Sequence, residues 1–477
     1  MICSLFRGRR VHLLGIGGSG VSALVPLLQA VGAVVSGCDV QDSPALSALR
    51  GRGVEIHIGH HPSHVHDVDM VVHTAAVAVG HPELAAARER QIPVMSRGQC
   101  LIELMRGTRT VAISGSHGKT STTWMIGHLL TEAGRDPVVM VGGSVASLGG
   151  GARTGTGDLF IAETDESDGS FAGVDPEVAI LTNLDREHVQ YYGDFSHLEE
   201  RFREWLSRIP ASGLIIVPTI GLSPGILSGV KASVLRCGLD EGDCHAEHLE
   251  LSADGSRMHV ILHGQDLGEV QVPLPGAHMA LNALMAIAAA RHLQPDCPLQ
   301  SLARCERVRR RFTIHSSLTS PAQGVRVVED YGHHPTEIRA TISAARLGGG
   351  RVHVLFQPHR YTRTADLFPE FVSAFDRAGA VVFLPIYAAS EPPIPGIDSR
   401  LLADSVREHR DAHASTHYTA DREEAVDLIV HEAEAGDTIL VLGAGDVGEL
   451  APVIAHFFPD AGHGQDAAAG PVQREVA

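Results

Sequence analysis

The run Gly115-Ser116-His117-Gly118-Lys119-Thr120-Ser121 combines residue types that hold a phosphate chain. Glycines let backbone N–H groups approach phosphate oxygens, a lysine neutralises them, and a threonine hydroxyl can ligate a divalent cation. The spacing departs from the generic Gly-x-x-x-x-Gly-Lys-[Ser/Thr] loop, because Ile113 stands where the first glycine would. Further along, Glu163-Thr164-Asp165-Glu166-Ser167-Asp168 sets four carboxylates in six positions. Alone this reads as a solvated acidic loop; beside a phosphate loop it supplies the oxygen donors that Mg²⁺ shares with nucleotide phosphates. Asn183 and His188 follow the next apolar run, and an imidazole there suggests a second divalent-ion position that Mg²⁺ or Mn²⁺ could fill.

A second glycine turn, Gly15-Ile16-Gly17-Gly18-Ser19-Gly20, follows the apolar run Val11–Leu14, and Asp39 closes the next one. This pattern brings backbone N–H groups to a pyrophosphate and a carboxylate to a ribose hydroxyl. NAD and a UDP-sugar both carry those groups, so the turn does not choose between them. Near the other end, Asp330-Tyr331-Gly332-His333-His334-Pro335-Thr336-Glu337 and Gln357-Pro358-His359-Arg360-Tyr361-Thr362-Arg363-Thr364 each follow an apolar run. Arg360 and Arg363 can present planar forks to a carboxylate, with Tyr331, His333 and His359 in support and Asp446 ending the last run in the same way.

The elements that must position these groups repeat one pattern, a short apolar strand ending at a polar or glycine-rich turn, then a helical stretch. Val11–Leu14, Val34–Cys38 and Val68–His73 are expected strands of a first βαβ segment. Thr110–Ile113, Leu159–Ala162 and Val178–Thr182 belong to a second, which ends with the helical run His278–Leu293. Val325–Val328, Val352–Phe356, Ala380–Leu384 and Thr438–Leu442 belong to a third, after a polar boundary near Ser316–Gln323. Alternating strands and helices imply mainly parallel sheets. The expected domains are 1–107, 108–318 and 319–460, with residues 461–477 a disordered tail.

Composition excludes several classes. The 477 residues include 51 glycines, and only 4% are aromatic, which favours α/β packing over a large β-sandwich. No apolar stretch is long enough for a membrane span, no separate apolar leader precedes the first strand, and a cytoplasmic location is expected. A formal charge of −18 argues against non-specific nucleic-acid binding. The seven cysteines include no Cys-x-x-Cys pair, and Cys237, Cys244 and His245 read as loop residues rather than zinc ligands.

Taken together, these motifs resemble the Mur ligase family, and the resemblance runs from about Val11 to about Leu450. The two C-terminal motifs are the specific ones. The resemblance implies an α/β fold of three domains: N-terminal Rossmann-like, central P-loop ATPase-like with a mostly parallel sheet, and C-terminal Rossmann-like. It implies ATP with Mg²⁺ (or Mn²⁺), and an acyl phosphate formed on a UDP-sugar carboxylate and then attacked by an amino acid. The motif versions resemble those of the branch that adds L-alanine to UDP-N-acetylmuramate, as a monomer or homodimer.

By that resemblance Gly15, Gly17, Gly18, Gly20 and Asp39 bind the UDP-sugar. Gly115, Ser116, His117, Gly118, Lys119, Thr120, Ser121 and Asn282 bind ATP. Thr120, Glu163 and His188 hold the metal, and Tyr331, His333, Arg360 and Arg363 recognise the amino acid. Lys119, Glu163, His188 and His333 form the catalytic set, His333 taking the amine proton. The third domain is expected to close over the cleft with the amino acid.

The chain departs from the family where Gly276-Ala277-His278-Met279 stands for Gly-Arg-His-Asn, leaving Asn282 as the nearby amide for adenine. Three milder changes keep charge or hydroxyl: Ser116 for Thr, Glu187 for Asp and Glu329 for Asp. Three other readings compete. A ligase that attaches a ready-made peptide to the same UDP-sugar would share the ATP motifs, and a relative without catalysis would fit Ala277 and Met279. An NAD-dependent dehydrogenase would leave Lys119 and both C-terminal clusters idle.

Overall fold

Strands buried on both faces of a parallel sheet read as continuous apolar runs, and such runs form the centre of every sheet in this protein. The computed structural model describes residues 4–74, 77, 80–167, 169–187, 189–315, 324–410 and 414–458. His188, Asp168, the expected boundary at 316–323 and the expected tail at 461–477 lie outside the described residues. The chain divides into two compact units, Met1–Arg311 and Phe312–Ala477.

Unit 1 contains two sheets. The first comprises β1 (Arg10–Leu14), β2 (Val34–Asp39), β3 (Glu55–Ile58), β4 (Met70–His73) and β5 (Val94–Ser96), in the order β3-β2-β1-β4-β5 and parallel throughout. The strand order reverses beside β1, so the turn after β1 and the end of β2 border the crevice where open α/β sheets bind ligands.

The second sheet has ten strands: β6 (Arg109–Ser114), β7 (Val138–Val145), β8 (Gly150–Arg153), β9 (Leu159–Glu163), β10 (Val178–Leu181), β11 (Leu214–Pro218), β12 (Ser233–Gly238), β13 (Cys244–Ser252), β14 (Gly255–Leu262) and β15 (Gln265–Val272). Its centre is parallel, with β6 hydrogen-bonded between β9 and β10. Phosphate loop, acidic loop and Asn183 loop therefore leave the sheet at the same edge. The helix Ala277–Leu293 is apolar almost all round, and most of its residues are buried in the core beneath this sheet.

The antiparallel strands β13–β15 were not expected from the sequence. Bulges between Glu247 and Glu250 and between His259 and Ile261 break the alternation of two that marks such strands. Cys237 and Cys244 are strand rather than loop residues, buried partners on adjacent parallel strands, and His245 bonds the Gly242 carbonyl through Nδ1 at 2.9 Å.

Unit 2 is a six-stranded sheet of β16 (Thr313–Ile314), β17 (Arg326–Asp330), β18 (Val352–Phe356), β19 (Val381–Phe383), β20 (Thr416–Tyr418) and β21 (Thr438–Leu442), in the order β16-β17-β21-β18-β19-β20. All but β16 run parallel. Since β17, β21 and β18 are neighbours, the segments after Asp330, Phe356 and Leu442 emerge together, as their residue types required. The expected α/β class with mainly parallel sheets is thus the one observed.

Candidate active site

The phosphate loop of unit 1 starts where β6 ends and turns into the helix Lys119–Glu132 through two glycines in the left-handed region, Gly115 (φ +123°) and Gly118 (φ +81°). A Cβ on Gly115 would stand 2.5 Å from Thr182 Oγ1, and one on Gly118 2.8 Å from the Asn282 amide. Neither position can take a side chain without moving its neighbour. Asn282, expected to serve ATP, is buried against the phosphate loop, with its amide nitrogen 3.8 Å from Met279 Sδ.

The loop is bound to the segment after β10. The His117 N–H donates to Asn183 Oδ1 at 2.9 Å, Asn183 Nδ2 donates to the His117 carbonyl at 3.0 Å, and the Asp185 N–H donates to Ser116 Oγ at 2.9 Å. Three bonds from one short segment fix the loop without help from a ligand, so its N–H groups are set in advance.

Lys119 Nζ donates to the Gly115 and Ser116 carbonyls and to Glu166 at 3.0 Å, and the Glu166 side chain is 1% exposed. Burial works against its ammonium, but Glu166, Glu163, Asp165 and Glu187 outweigh it and push the Lys119 pKa up. The lysine is charged at any working pH. Thr120 Oγ1 donates to Glu163 Oε2 at 2.8 Å, and the Gly142 N–H donates to the same oxygen at 2.7 Å. This all-oxygen pair at the foot of the loop suits a hard cation such as Mg²⁺.

Arg97, which sequence reasoning passed over, starts the helix Arg97–Met105 and bonds Asp165 Oδ2 at 3.1 Å. A Cβ on Gly20 would stand 3.0 Å from Arg97 Cδ. The Arg97 side chain therefore packs its stem beside the first glycine turn while its guanidinium bonds the acidic loop. A lone arginine without a motif gave no signal for this in the sequence. In the turn itself Gly15 has φ +72°, and the Gly17 N–H donates to Asp39 Oδ2 at 2.8 Å, so the expected ribose acceptor also braces the turn.

In unit 2 the expected residues gather at the sheet edge. The Tyr331 and His333 rings lie 5.2 Å apart, those of His333 and His359 5.7 Å, and His359 stacks on Tyr387 at 5.5 Å. His333 Nδ1 is 3.0 Å from the Tyr331 carbonyl, which can only accept. In neutral His333 this puts the proton on Nδ1 and leaves Nε2 as the basic atom. Arg363 Nη1 donates to the His359 carbonyl at 3.2 Å.

Arg360 has φ +71°, rare for a side-chain-bearing residue and worth about 1–3 kcal/mol of strain of the kind that collects at functional sites. Its N–H donates to the Tyr387 carbonyl at 2.9 Å, and Gln357 Nε2 donates to Asp446 at 2.8 Å.

A phosphate loop with paired carboxylates, a glycine turn on a reversing parallel sheet, and an arginine-histidine cluster on a separate α/β unit define a three-sheet nucleotide-dependent ligase. The chain belongs to the Mur ligase family: residues 10–109 match its "Mur ligase family, catalytic domain", 113–290 its "Mur ligase middle domain" and 310–445 its "Mur ligase, glutamate ligase domain".

It is 42% identical over 456 residues to the UDP-N-acetylmuramate–L-alanine ligase of Sorangium cellulosum, covering 93% of this chain and 95% of that one. It is 39% identical over 462 residues to the enzyme of that name from Myxococcus xanthus, covering 94% and 96%. Among solved structures, the UDP-N-acetylmuramate-alanine ligase of Thermotoga maritima superposes with a TM-score of 0.79 at 26% identity, covering 94% of this chain and 99% of that one. A murein peptide ligase of Psychrobacter arcticus shares the fold at 24% identity and a TM-score of 0.68, covering 94% and 98%. The family expected from the motifs is therefore the family found. Among the described residues no helix is long and apolar enough to cross a membrane.

Proposed function

We propose that this chain joins L-alanine to the lactyl carboxylate of UDP-N-acetylmuramate in the cytoplasm, converting ATP to ADP and phosphate. The observation that carries this reading is the Lys119, Thr120 and Glu163 constellation on a pre-set phosphate loop. Identity of about 40% along nearly the whole chain to ligases of that name supports L-alanine over a ready-made peptide.

The loop N–H groups and Lys119 hold the β- and γ-phosphates of the nucleotide. A divalent ion held by Thr120 and Glu163, with His188 as the further ligand expected from the sequence, would neutralise charge on the phosphates. Asn282 keeps Gly118 in place, and the turn Gly15–Gly20 with Asp39 and Arg97 holds the UDP moiety. A carboxylate oxygen of the sugar attacks the γ-phosphorus, the bond to the ADP oxygen breaks, and an acyl phosphate forms. Its charge falls on Lys119, already paired with carboxylates and so fixed in direction.

Tyr331, Arg360 and Arg363 bind the amino acid, the guanidinium forks meeting its carboxylate. The neutral amine attacks the acyl carbon, phosphate leaves, and the amine proton passes to His333 Nε2. Phosphate release from ATP and Mg²⁺ is the test, with UDP-N-acetylmuramate and, in turn, no amino acid, L-alanine, glycine, L-serine or the L-Ala-γ-D-Glu-meso-diaminopimelate tripeptide. Release requiring both the UDP-sugar and L-alanine is expected. Dependence on the tripeptide would transfer the chain to the peptide-attaching branch, and ATP binding without release would favour a relative that has lost catalysis.

A further inference from the structure

The first sheet carries a second constellation that neither the glycine turn nor the phosphate loop uses. His12 on β1, Cys38 on β2, His64 in the short turn of helix Pro62–Val65 and Glu83 in the helix Pro82–Glu89 bring their donor atoms within 4.8 Å of one another. Four separate elements converge. The side chains of His12 and Glu83 are 0% exposed, and that of His64 only 14%. Cys38 is fully buried.

Burying a carboxylate costs several kcal/mol unless something of opposite charge compensates it. Glu83 accepts from Cys38 Sγ at 3.1 Å and from the His61 N–H at 2.9 Å, and lies 2.7 Å from His64 Nδ1. His12 completes the picture: its Nδ1 bonds Ser36 Oγ at 2.9 Å, while its buried Nε2 has no hydrogen-bond partner among the described residues and lies 3.9 Å from Glu83 Oε2. An orphaned buried nitrogen of this kind costs about 1–3 kcal/mol. With its Nδ1–H given to Ser36 Oγ, neutral His12 carries its lone pair on Nε2, facing Glu83 and Cys38.

We propose that His12 Nε2, Cys38 Sγ, His64 and Glu83 form a structural site for a divalent ion of the zinc class. Two imidazoles, a sulfur and a carboxylate make the mixed, four-membered donor set that a tetrahedral ion of this softness takes, and that Mg²⁺ avoids. On binding, the Cys38 S–H bond breaks and its proton leaves to solvent. The thiolate and Glu83 then cancel the two charges of the ion, which makes the buried carboxylate tolerable. Ser36 plays the part of an outer partner that sets the direction of a ligating imidazole.

The position gives the site a purpose. The Cys38 carbonyl accepts from the Gly15 and Ile16 N–H groups at 2.9 and 3.1 Å, and Asp39 next to it accepts from Gly17. An ion on Cys38 would lock the end of β2 under the glycine turn. His60, His81 and Glu83 form a neighbouring group that shares the carboxylate, and it gives the test a competitor.

The full chain, stripped with a chelator and free of nucleotide, is titrated with Co²⁺ and then Zn²⁺. One equivalent of Co²⁺ should give a thiolate charge-transfer band with intense visible absorption of tetrahedral Co²⁺, both bleached by Zn²⁺. Cys38→Ser should abolish the charge-transfer band. Ser36→Ala should keep it but weaken Zn²⁺ binding about 10- to 100-fold. Zn²⁺ should raise the unfolding temperature of the unaltered chain and not that of Cys38→Ser. His64→Ala, whose ring lies at the rim, should lower Co²⁺ affinity and repeats the test if Cys38→Ser does not fold. No Co²⁺ uptake, a charge-transfer band untouched by Cys38→Ser, or loss of binding on His81→Ala alone would each overturn the assignment.

Discussion

Thr120 Oγ1 donates its proton to Glu163 Oε2 across 2.8 Å, although the two residues lie 43 positions apart and on different elements. The contact makes the foot of the phosphate loop an oxygen-lined, negatively charged point. Glu163→Gln keeps the shape and removes the charge. It should lower kcat about 100-fold or more, in the range found when one preorganised electrostatic group is removed, and raise the Mg²⁺ concentration needed for half-maximal rate. Phosphate release measured against Mg²⁺ checks both, and an unchanged Mg²⁺ dependence would refute the role.

Gly118→Ala tests the other side of the loop. Holding alanine at φ +81° costs about 1–2 kcal/mol, and its Cβ would have to push the Asn282 amide aside. Loss of ATP binding is expected together with a measurable drop in urea stability. Full ATP affinity in this variant would show that the loop can adopt another path.

Arg97 joins the glycine turn to Asp165, and Arg97→Ala removes a charged hydrogen bond between partly buried groups. Such bonds contribute about 1.5–3 kcal/mol, so KM for the UDP-sugar should rise roughly tenfold or more. KM for ATP should hardly change. The reverse pattern, with only ATP affected, would place Arg97 with the nucleotide instead.

His333→Ala should slow turnover with little change in ATP binding, and the pH dependence of kcat should lose its acidic limb, where protonation of the imidazole removes the base. Unchanged turnover would exclude His333 as the proton acceptor.

Asp437 is expected to contribute to the acid sensitivity of unit 2. Burial works against its carboxylate, but the Glu434 and Arg351 N–H groups, His353 and the Arg351 guanidinium outweigh it and hold its pKa below the usual value. A group depressed in the folded state contributes stability above its unfolded pKa of about 4, and that contribution fades as pH falls through the folded value. Asp437→Asn should therefore destabilise the protein at pH 7 and flatten the loss of stability below about pH 4. Parallel urea curves at several pH values would read this, and equal acid sensitivity in both proteins would contradict it.

Much of the site was legible because its chemistry is written in short runs. Gly115–Thr120 and Glu163–Glu166 follow apolar strands, and parallel sheets deliver such strand ends to one edge. The strands β13–β15 were not legible, since two bulges break their alternation. Arg97 was not either: a single arginine is informative only when its distant neighbours, Gly20 and Asp165, are known.

The sequence by itself determined the α/β class, the strand ends that carry chemistry and the family, because strand periodicity and motif spacing are local properties. Only the tertiary structure decided which distant residues meet. It put Asn282 against Gly118 and Arg97 against Asp165, and it gathered His12, Cys38, His64 and Glu83 around one point. Those four are spread over four elements with no motif spacing, and they become neighbours only through the parallel register of β1 with β2 and the packing of helix Pro82–Glu89 beside them.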